Sequence, residues 1–423
     1  MKITKFLAAV AGCTALGSVM LVGCAPPAES TTTDTTTTTG GEAPTTGNRP
    51  MPTAQGNSAS GDTIKIGIVA AQGGDLRPWG VDSIDGAMLA VEEVNAAGGI
   101  NGKKVELLVG DSNSRPEQGK NATEKLISDG VVGIIGEVAS GITQQMVQAT
   151  FQAGIPHVTI GSTRTDLTPT AGNLWRVCYT DDFQGPVMAR FAYEELGLRN
   201  MGVMTDKSQP YSTGLSENFK RAFEALGGKI VGEEFYMTGQ SSFQGQLTNL
   251  AQRRPDGVFL SGYFTEVGII ARQATAAGLN VPLLGGDGWD SAELVTTGGE
   301  NIIGNYFCNH YNNEEDRSEV QRFLDAWRAK YGGVPATTMG ALGYDAAMLM
   351  MDALKRASEP NSQALMVAIE ETVDFPGVSG NITLAGKNGD PQKRALVVEV
   401  TRDGQRFVKA YEFFTLDEIT NQP

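Results

Sequence analysis

The sequence predicts an α/β protein of two doubly wound lobes, each on a parallel sheet. Three observations carry that expectation. From Ile64 onward, short β-rich runs alternate with helical patterns, the signature of parallel sheets with right-handed crossovers. The strand–helix units are too many for one open sheet of ordinary size. The 423 residues, 40% hydrophobic and 19% charged, suffice for more than one buried core.

The chain opens differently. Lys2 and Lys5 precede an apolar run from Phe6 to Leu21, which leads into Leu21-Val22-Gly23-Cys24. Residues 1–23 therefore read as an export signal, too short to span a bilayer comfortably. The ending resembles the bacterial lipoprotein box, which implies removal of 1–23 and lipidation of Cys24; a signal anchor with an incidental cysteine is the alternative. Residues 24–61 then turn to Thr, Pro, Gly, Ser and Ala, with Thr35 to Thr39 an unbroken run. Such a segment buries too little apolar surface to offset its ordering entropy, so a disordered tether is expected, with a reach of about 30–40 Å.

The folded region begins with the strand pattern Ile64-Lys65-Ile66-Gly67-Ile68-Val69. Val81, Ile84, Met88 and Val91 then recur at helical spacing until Gly98-Gly99 stops the helix. Further strands are expected at Val105–Val109, Val131–Ile135, His157–Ile160, Met201–Met204, Val258–Leu260 and Val281–Leu284. Helices are expected at Gln118–Ile127, Thr143–Gln152, Pro186–Glu195, Thr213–Leu226 and Glu266–Ala277. In open α/β sheets ligands sit at the carboxyl ends of strands. The loops 70–80, 136–143, 161–168, 206–214, 261–265 and 285–291 are thus where function is sought.

Several classes recede on the same evidence. Lys+Arg 33 against Asp+Glu 48 gives a net charge of −15, which repels nucleic-acid phosphates. His157 and His310 are the only histidines and neither sits in a metal-binding spacing, so no metal or other cofactor is expected. No glycine-rich dinucleotide or phosphate loop opens a helix, and no GxSxG elbow occurs. A lipid-anchored enzyme would need a nucleophile–base pair that the sequence does not display.

At these loops the region from Ile64 to about Tyr411 resembles the type I periplasmic solute-binding proteins, in particular the leucine/isoleucine/valine-binding group that serves ABC importers. The resemblance is carried by Ile64-Lys65-Ile66-Gly67, Ala96-Ala97-Gly98-Gly99-Ile100-Asn101-Gly102, Gly136-Glu137-Val138-Ala139-Ser140, Asp181 with Gln184-Gly185, Ala274-Thr275-Ala276-Ala277-Gly278 and Gly285-Gly286-Asp287-Gly288-Trp289. It implies two discontinuous lobes joined by a hinge, residues 62–181 plus 310–397 and residues 182–309 plus 398–423. It also implies a non-enzymatic role, capture of an amino acid by hinge closure and delivery to an ABC transporter permease. A binder or sensor for another small carboxylate, amide or urea-like solute is the alternative.

By the same resemblance, Ser140, Gly161 and Thr163, with Ser162 close by, would hold the ligand carboxylate. Their hydroxyls and loop N–H groups suit an anion, although Ser140 and Thr163 are equally suited to helix capping. Asp287 would hold the α-ammonium, in place of the family's usual longer acid, while Tyr211, Tyr263 and Trp79 would close over the side chain. Arg77 is a solvated loop residue on this reading, or else a sign of a polar ligand.

The expected protein is an extracytoplasmic monomer held to a bacterial membrane by its N-terminal lipid. Cys178 and Cys308 lie near expected crossings between lobes, where a disulfide is possible and two buried free thiols are favoured. Stable attachment requires more than one acyl chain, so Cys24→Ala is expected to release the protein from the membrane fraction, as read by fractionation and intact mass. Retention of a membrane-bound, mature-sized Cys24→Ala chain would exclude the lipoprotein reading.

Overall fold

The structure, a computed structural model, describes residues 49–420. Strands β1 (Thr63–Ala70), β2 (Lys104–Asp111), β3 (Ile134–Ile135), β4 (His157–Thr159) and β5 (Leu174–Arg176) form the first sheet, interleaved with helices α1 (Arg77–Ala96), α2 (Pro116–Ser128) and α3 (Ser140–Ala153). The order is β2-β1-β3-β4-β5 and every pairing is parallel. Ile64, Ile66 and Ile68 alternate into the core, and Val69 and Ala70 are buried too. Burial on both faces is what a central parallel strand requires. Pro78 opens α1 in its first turn, where its missing N–H costs nothing, and Gly98 and Gly99 follow its end in left-handed geometry.

The chain next builds α4 (Asp181–Arg190), β6 (Asn200–Asp206), α5 (Pro210–Ala225), β7 (Lys229–Tyr236), α6 (Gln244–Gln252), β8 (Gly257–Ser261), α7 (Phe264–Ala274), β9 (Leu283–Gly285), α8 (Ala292–Gly298) and β10 (Tyr306–Asn309). It then returns to the first lobe as α9 (Ser318–Tyr331), α10 (Met339–Arg356), α11 (Ser362–Glu370) and the hairpin of β11 (Phe375–Gly377) and β12 (Gly380–Ile382). It ends as β13 (Ala395–Thr401), β14 (Gly404–Tyr411) and α12 (Leu416–Thr420). Helices α1 and α10 pack together over the first sheet, with α2 and α3 paired against each other. A Cβ on Gly86 would lie 2.0 Å from Gly340 O, so the close approach of α1 and α10 requires glycine there.

The two-lobed α/β expectation is met, with refinements. The second sheet runs β14-β13-β10-β9-β8-β6-β7. Its core is parallel, but β13 is antiparallel to both β10 and β14, so this sheet is mixed. The expected boundary at 397 falls inside β13, all of which lies in the second sheet. Among the elements with no expected counterpart are β5, β7, β10, the β11–β12 hairpin and helices α6 and α8 to α12. β7 carries a mostly half-exposed pattern that hides its alternation, as suits an edge strand.

The tether expectation needs correcting for its last part. Residues 49–61 lie against the first lobe as a strap. Arg49 is buried, with Nη1 donating to Leu174 O (2.7 Å) and Nη2 to Glu370 Oε2 (2.9 Å). Asn57 Nδ2 donates to Ile127 O and Val131 O, both at 2.9 Å, and Ser362 N donates to Asn57 O (2.8 Å). Composition hid this because the strap is held by polar groups and backbone, not by an apolar face. The signal at 1–23, Cys24 and the Thr run lie outside the described residues.

Cys178 and Cys308 are both free and buried, which excludes the possible disulfide here. Burial pushes the Cys178 thiol up to about 12, and the Cys308 thiol is raised for the same reason. The Arg49–Glu370 pair leaves each side chain 3% exposed. Removing one member of a buried pair costs about 3–5 kcal/mol, so Arg49→Ala is expected to lower the urea midpoint accordingly. An unchanged midpoint would mean that the strap contributes nothing to the fold.

Candidate functional site

Both sheets turn their carboxyl ends towards a common cleft. The strand order reverses between β1 and β3 in one and between β6 and β8 in the other, the points where doubly wound sheets bind ligands. The loops there line a small cavity with ≈ 220 Å³ of atom-free space, part of it open to solvent. Six expected residues meet on it: Trp79, Ser140 and Gly161 from the first lobe, Tyr211, Tyr263 and Asp287 from the second. Val138, Gly288 and Met339 complete the lining and were not singled out from the sequence. Arg77 is exposed and lines neither this cavity nor the chamber outside it.

Asp287 is the polar centre of the second lobe, 4% exposed. Tyr211 OH (2.8 Å) and Gln184 Nε2 (3.1 Å) donate to Oδ1, and His310 Nε2 donates to Oδ2 (3.0 Å). Asp287 N donates in turn to Gln184 Oε1 (3.2 Å). The side chain reaches this position because β9 ends in Gly285-Gly286 and the chain turns at once into a short 3₁₀ helix, Asp287–Trp289. A carboxylate offers about four acceptor positions. Three donors hold the charge, leaving capacity for one donor from a ligand.

The first lobe presents the opposite chemistry. Ser140 begins α3, where helix N–H groups lack partners and the dipole favours an anion. Thr163, buried beyond β4, does not line the cavity; its hydroxyl faces the Asp181 carboxyl. Ser162 does not line it either: its hydroxyl bonds to Thr143 Oγ1 (2.7 Å), Val138 O (3.1 Å) and Glu137 O (3.2 Å), so it supports the loop. Glu137 lies beneath, taking Ser112 Oγ on Oε1 (2.7 Å) and the N–H groups of Val138 (2.7 Å) and Ala139 (2.9 Å) on Oε2. Burial pushes its pKa up. Gly161 has a steric reason: a Cβ there would stand 2.9 Å from Val138 Cγ1 and 3.1 Å from Met339 Sδ.

The lobes touch across the cleft. Trp79 Nε1 donates to Asp290 O (2.6 Å), and its ring meets Tyr263 edge-on with centroids 5.1 Å apart. Tyr263 in turn stacks on Tyr211 at 5.4 Å. Burial first, then the nearby carboxylates, hold both phenols well above their usual range, so each keeps its proton to donate. Tyr263 OH is buried without a partner. No lysine or arginine lines this cavity or the adjoining outer chamber, which carries Asp75 and Glu266.

Asp181, noted in the sequence only as part of a motif, belongs to this polar centre. Gln184 Nε2 bridges it to Asp287, donating to Asp181 Oδ1 (2.8 Å) as well as to Asp287 Oδ1 (3.1 Å). Thr163 approaches the same carboxyl from the loop after β4, and Asp181 N donates to Thr163 O (2.8 Å). The acid's spacing to Gln184 was the available signal, but its burial beside Asp287 is a tertiary fact.

Two α/β lobes closing on a cavity with an acid at one end and a hydroxyl at a helix start on the other define a two-lobed solute-binding protein. The chain belongs to the periplasmic binding protein family, whose model matches residues 63–405, and its fold is that of the type I members. It is 32% identical over 343 residues to the Leu/Ile/Val-binding protein homolog 1 of Brucella suis, covering 80% of this chain and 90% of that one. Among solved structures, it is similar to the leucine binding protein LivK of Thermotoga maritima (34% identity, TM-score 0.79, 82% of this chain and 99% of that one). It is also similar to the branched-chain amino acid transporter substrate binding protein LivJ of Streptococcus pneumoniae in complex with isoleucine (31%, TM-score 0.77, 84% and 99%).

Burial, then the neighbouring Asp287, raise the Asp181 pKa from 3.8 to about 7. Between those values the unfolded chain has lost a proton that the folded chain keeps, so this group's contribution makes stability fall as pH rises, and level off above about 7. Asp181→Asn is expected to remove that slope: the variant matches wild type near pH 4 and exceeds it above pH 7 by up to about 4 kcal/mol. Denaturation at a series of pH values checks this, and parallel curves for the two proteins would refute it.

Proposed function

We propose that this protein is the extracytoplasmic substrate-binding component of an ABC importer, and that it captures an aliphatic amino acid, branched-chain or closely related, between its lobes. The observation that carries the reading is the polarity of one cavity. Asp287 with Tyr211 stands on the second lobe and Ser140 at the start of α3 on the first, with the apolar Trp79, Val138 and Met339 in the same wall. A zwitterion matches both ends and a small aliphatic side chain matches the rest. The absence of lysine and arginine from the lining weighs against ligands with a second carboxylate. The Brucella, Thermotoga and Streptococcus relatives, named for leucine, isoleucine and valine, support the same class.

The mechanism is closure without chemistry. A ligand that touches both lobes has more partners in the closed arrangement than in the open one, and that differential affinity drives the change. The closed, loaded body is what a permease would receive. On this reading the N-terminal signal directs export and is removed, and lipidated Cys24 tethers the protein, a monomer, at the membrane beside its transporter.

Calorimetry on an amino-acid panel tests the reading. Wild type is expected to bind leucine, isoleucine or valine among its tightest ligands. Asp287→Asn removes the charge that faces the ammonium while keeping the side chain's shape. Losing one partner of a buried charge pair costs about 2–5 kcal/mol, or roughly 30- to 3,000-fold in affinity. Ser140→Ala loses one hydrogen bond to a charged group and is expected to cost about 1.5–3 kcal/mol. An Asp287→Asn protein that binds its best amino acid as tightly as wild type would put a different small solute in the cavity.

A further inference from the structure

Asp290 takes part in none of the expected contacts and does not line the cavity, yet it is wholly buried and grips the first lobe at two points. Its backbone carbonyl accepts the Trp79 indole N–H at 2.6 Å. Its Oδ2 accepts both Thr338 N (2.6 Å) and Thr338 Oγ1 (2.7 Å). Thr338 immediately precedes Met339, the first residue of α10 and part of the cavity wall. On the second lobe, Gln405 Nε2 donates to Asp290 Oδ1 and Asn309 Nδ2 donates to Gln405 Oε1 (2.8 Å). Thr338 Oγ1 also meets Asn309 Oδ1 at 2.9 Å.

The preceding threonine is held differently. Thr337 N and Oγ1 lie 2.6 and 2.9 Å from Asp82 Oδ2, on α1 of the same lobe. Adjacent threonines at the start of α10 are thus tied one to each lobe. Two carboxylates satisfy N–H groups at a helix end that would otherwise lack partners. The Asp82 bonds lie within one lobe and do not depend on closure. The Asp290 bonds join the two lobes and require them to be together.

We propose that Asp290 is a positioning residue for ligand selection: by holding Trp79 through its carbonyl and Thr338 through its carboxylate, it sets two apolar walls of the cavity, Trp79 and Met339, when the lobes close. The proposal rests on the amino-acid reading above and adds to it. Asp287 and Ser140 meet groups that every amino acid carries, whereas Trp79 and Met339 meet only what differs between them. Asp290 therefore governs discrimination among aliphatic side chains without touching the ligand.

The test measures affinities and dissociation rates for leucine, isoleucine, valine and alanine with wild type, Asp290→Asn, Thr338→Val and Thr338→Ser. Asp290→Asn and Thr338→Val are expected to weaken the best ligand by about tenfold or more, chiefly through faster dissociation. They are also expected to draw the leucine-to-alanine ratio towards one, while Thr338→Ser restores both. A merely structural role would lower affinity for all four ligands alike, and that outcome, or wild-type affinities in both weakened variants, overturns the proposal. A second measurement is made with wild type and variant each saturated with leucine, so that the lobes are together. The Trp79 indole N–H, assigned by its loss in Trp79→Phe, is expected to exchange with solvent about tenfold faster in Asp290→Asn. An unchanged exchange rate overturns the proposal, whereas a wild type that binds none of the panel overturns only the amino-acid reading.

Discussion

The structure of the cleft depends on burying one carboxyl group, Asp287, with its hydrogen-bonding capacity met. An ionised group removed from water must be supplied with donors or it will neutralise. Asp287 obtains them from three separate segments: Gln184 on α4, Tyr211 on α5 and His310 just beyond β10. Satisfying that group fixes where α4 and α5 stand relative to the end of β9. It also sets the point where the chain leaves the second sheet. Its glycine neighbours follow from the same crowding. A Cβ on Gly286 would lie 2.7 Å from Tyr211 OH, and one on Gly288 would lie 2.6 Å from Gly262 O.

The first lobe answers with hydroxyls in place of charge, and its rigidity comes from beneath. Glu137 ties the loop after β3 to Ser112 beyond β2, while Thr159 Oγ1 (2.6 Å) and Ser162 Oγ (3.2 Å) donate to its backbone carbonyl. Arg176 Nη1 donates to Ser162 O (2.5 Å), holding the loop after β4 from β5. A hydroxyl set on such a frame is preorganised, so a ligand spends little of its binding energy ordering it. The two halves of the site can then be brought together as nearly rigid bodies, which suits a hinge.

The N-terminal strap is attached at the other end of the first lobe. Leu174, Val131 and Ser362 Oγ on Val132 O all mark the amino ends of β5 and β3, the pole away from the cleft. Among the described residues, the strap leaves the cavity mouth and both cleft faces uncovered. The strap is also held within one lobe, so it does not oppose movement of the other.

Much of this protein is legible in its sequence because the signals are local. Apolar periodicity marks β1, α1, β6 and α5. The rule that ligands lie at strand carboxyl ends then picks out loops whose residues Trp79, Ser140, Gly161, Tyr211, Tyr263 and Asp287 do converge on one cavity. What the sequence does not display depends on partners far away along the chain. Ser162 looks like its neighbour Thr163, but its hydroxyl is taken up by Thr143, whereas that of Thr163 faces the Asp181 carboxyl. Arg49 sits in a segment whose composition reads as disorder, and its buried partners, Leu174 and Glu370, lie 125 and 321 residues further along the chain. Asp181, Met339 and Asp290 acquire their places from packing between lobes. Local patterning determines which elements form and which ends of them can bind. Which polar groups remain unpaired, and which are spent on holding the site together, is decided only when the sheets and helices meet, because a hydrogen bond's availability depends on every neighbour within reach.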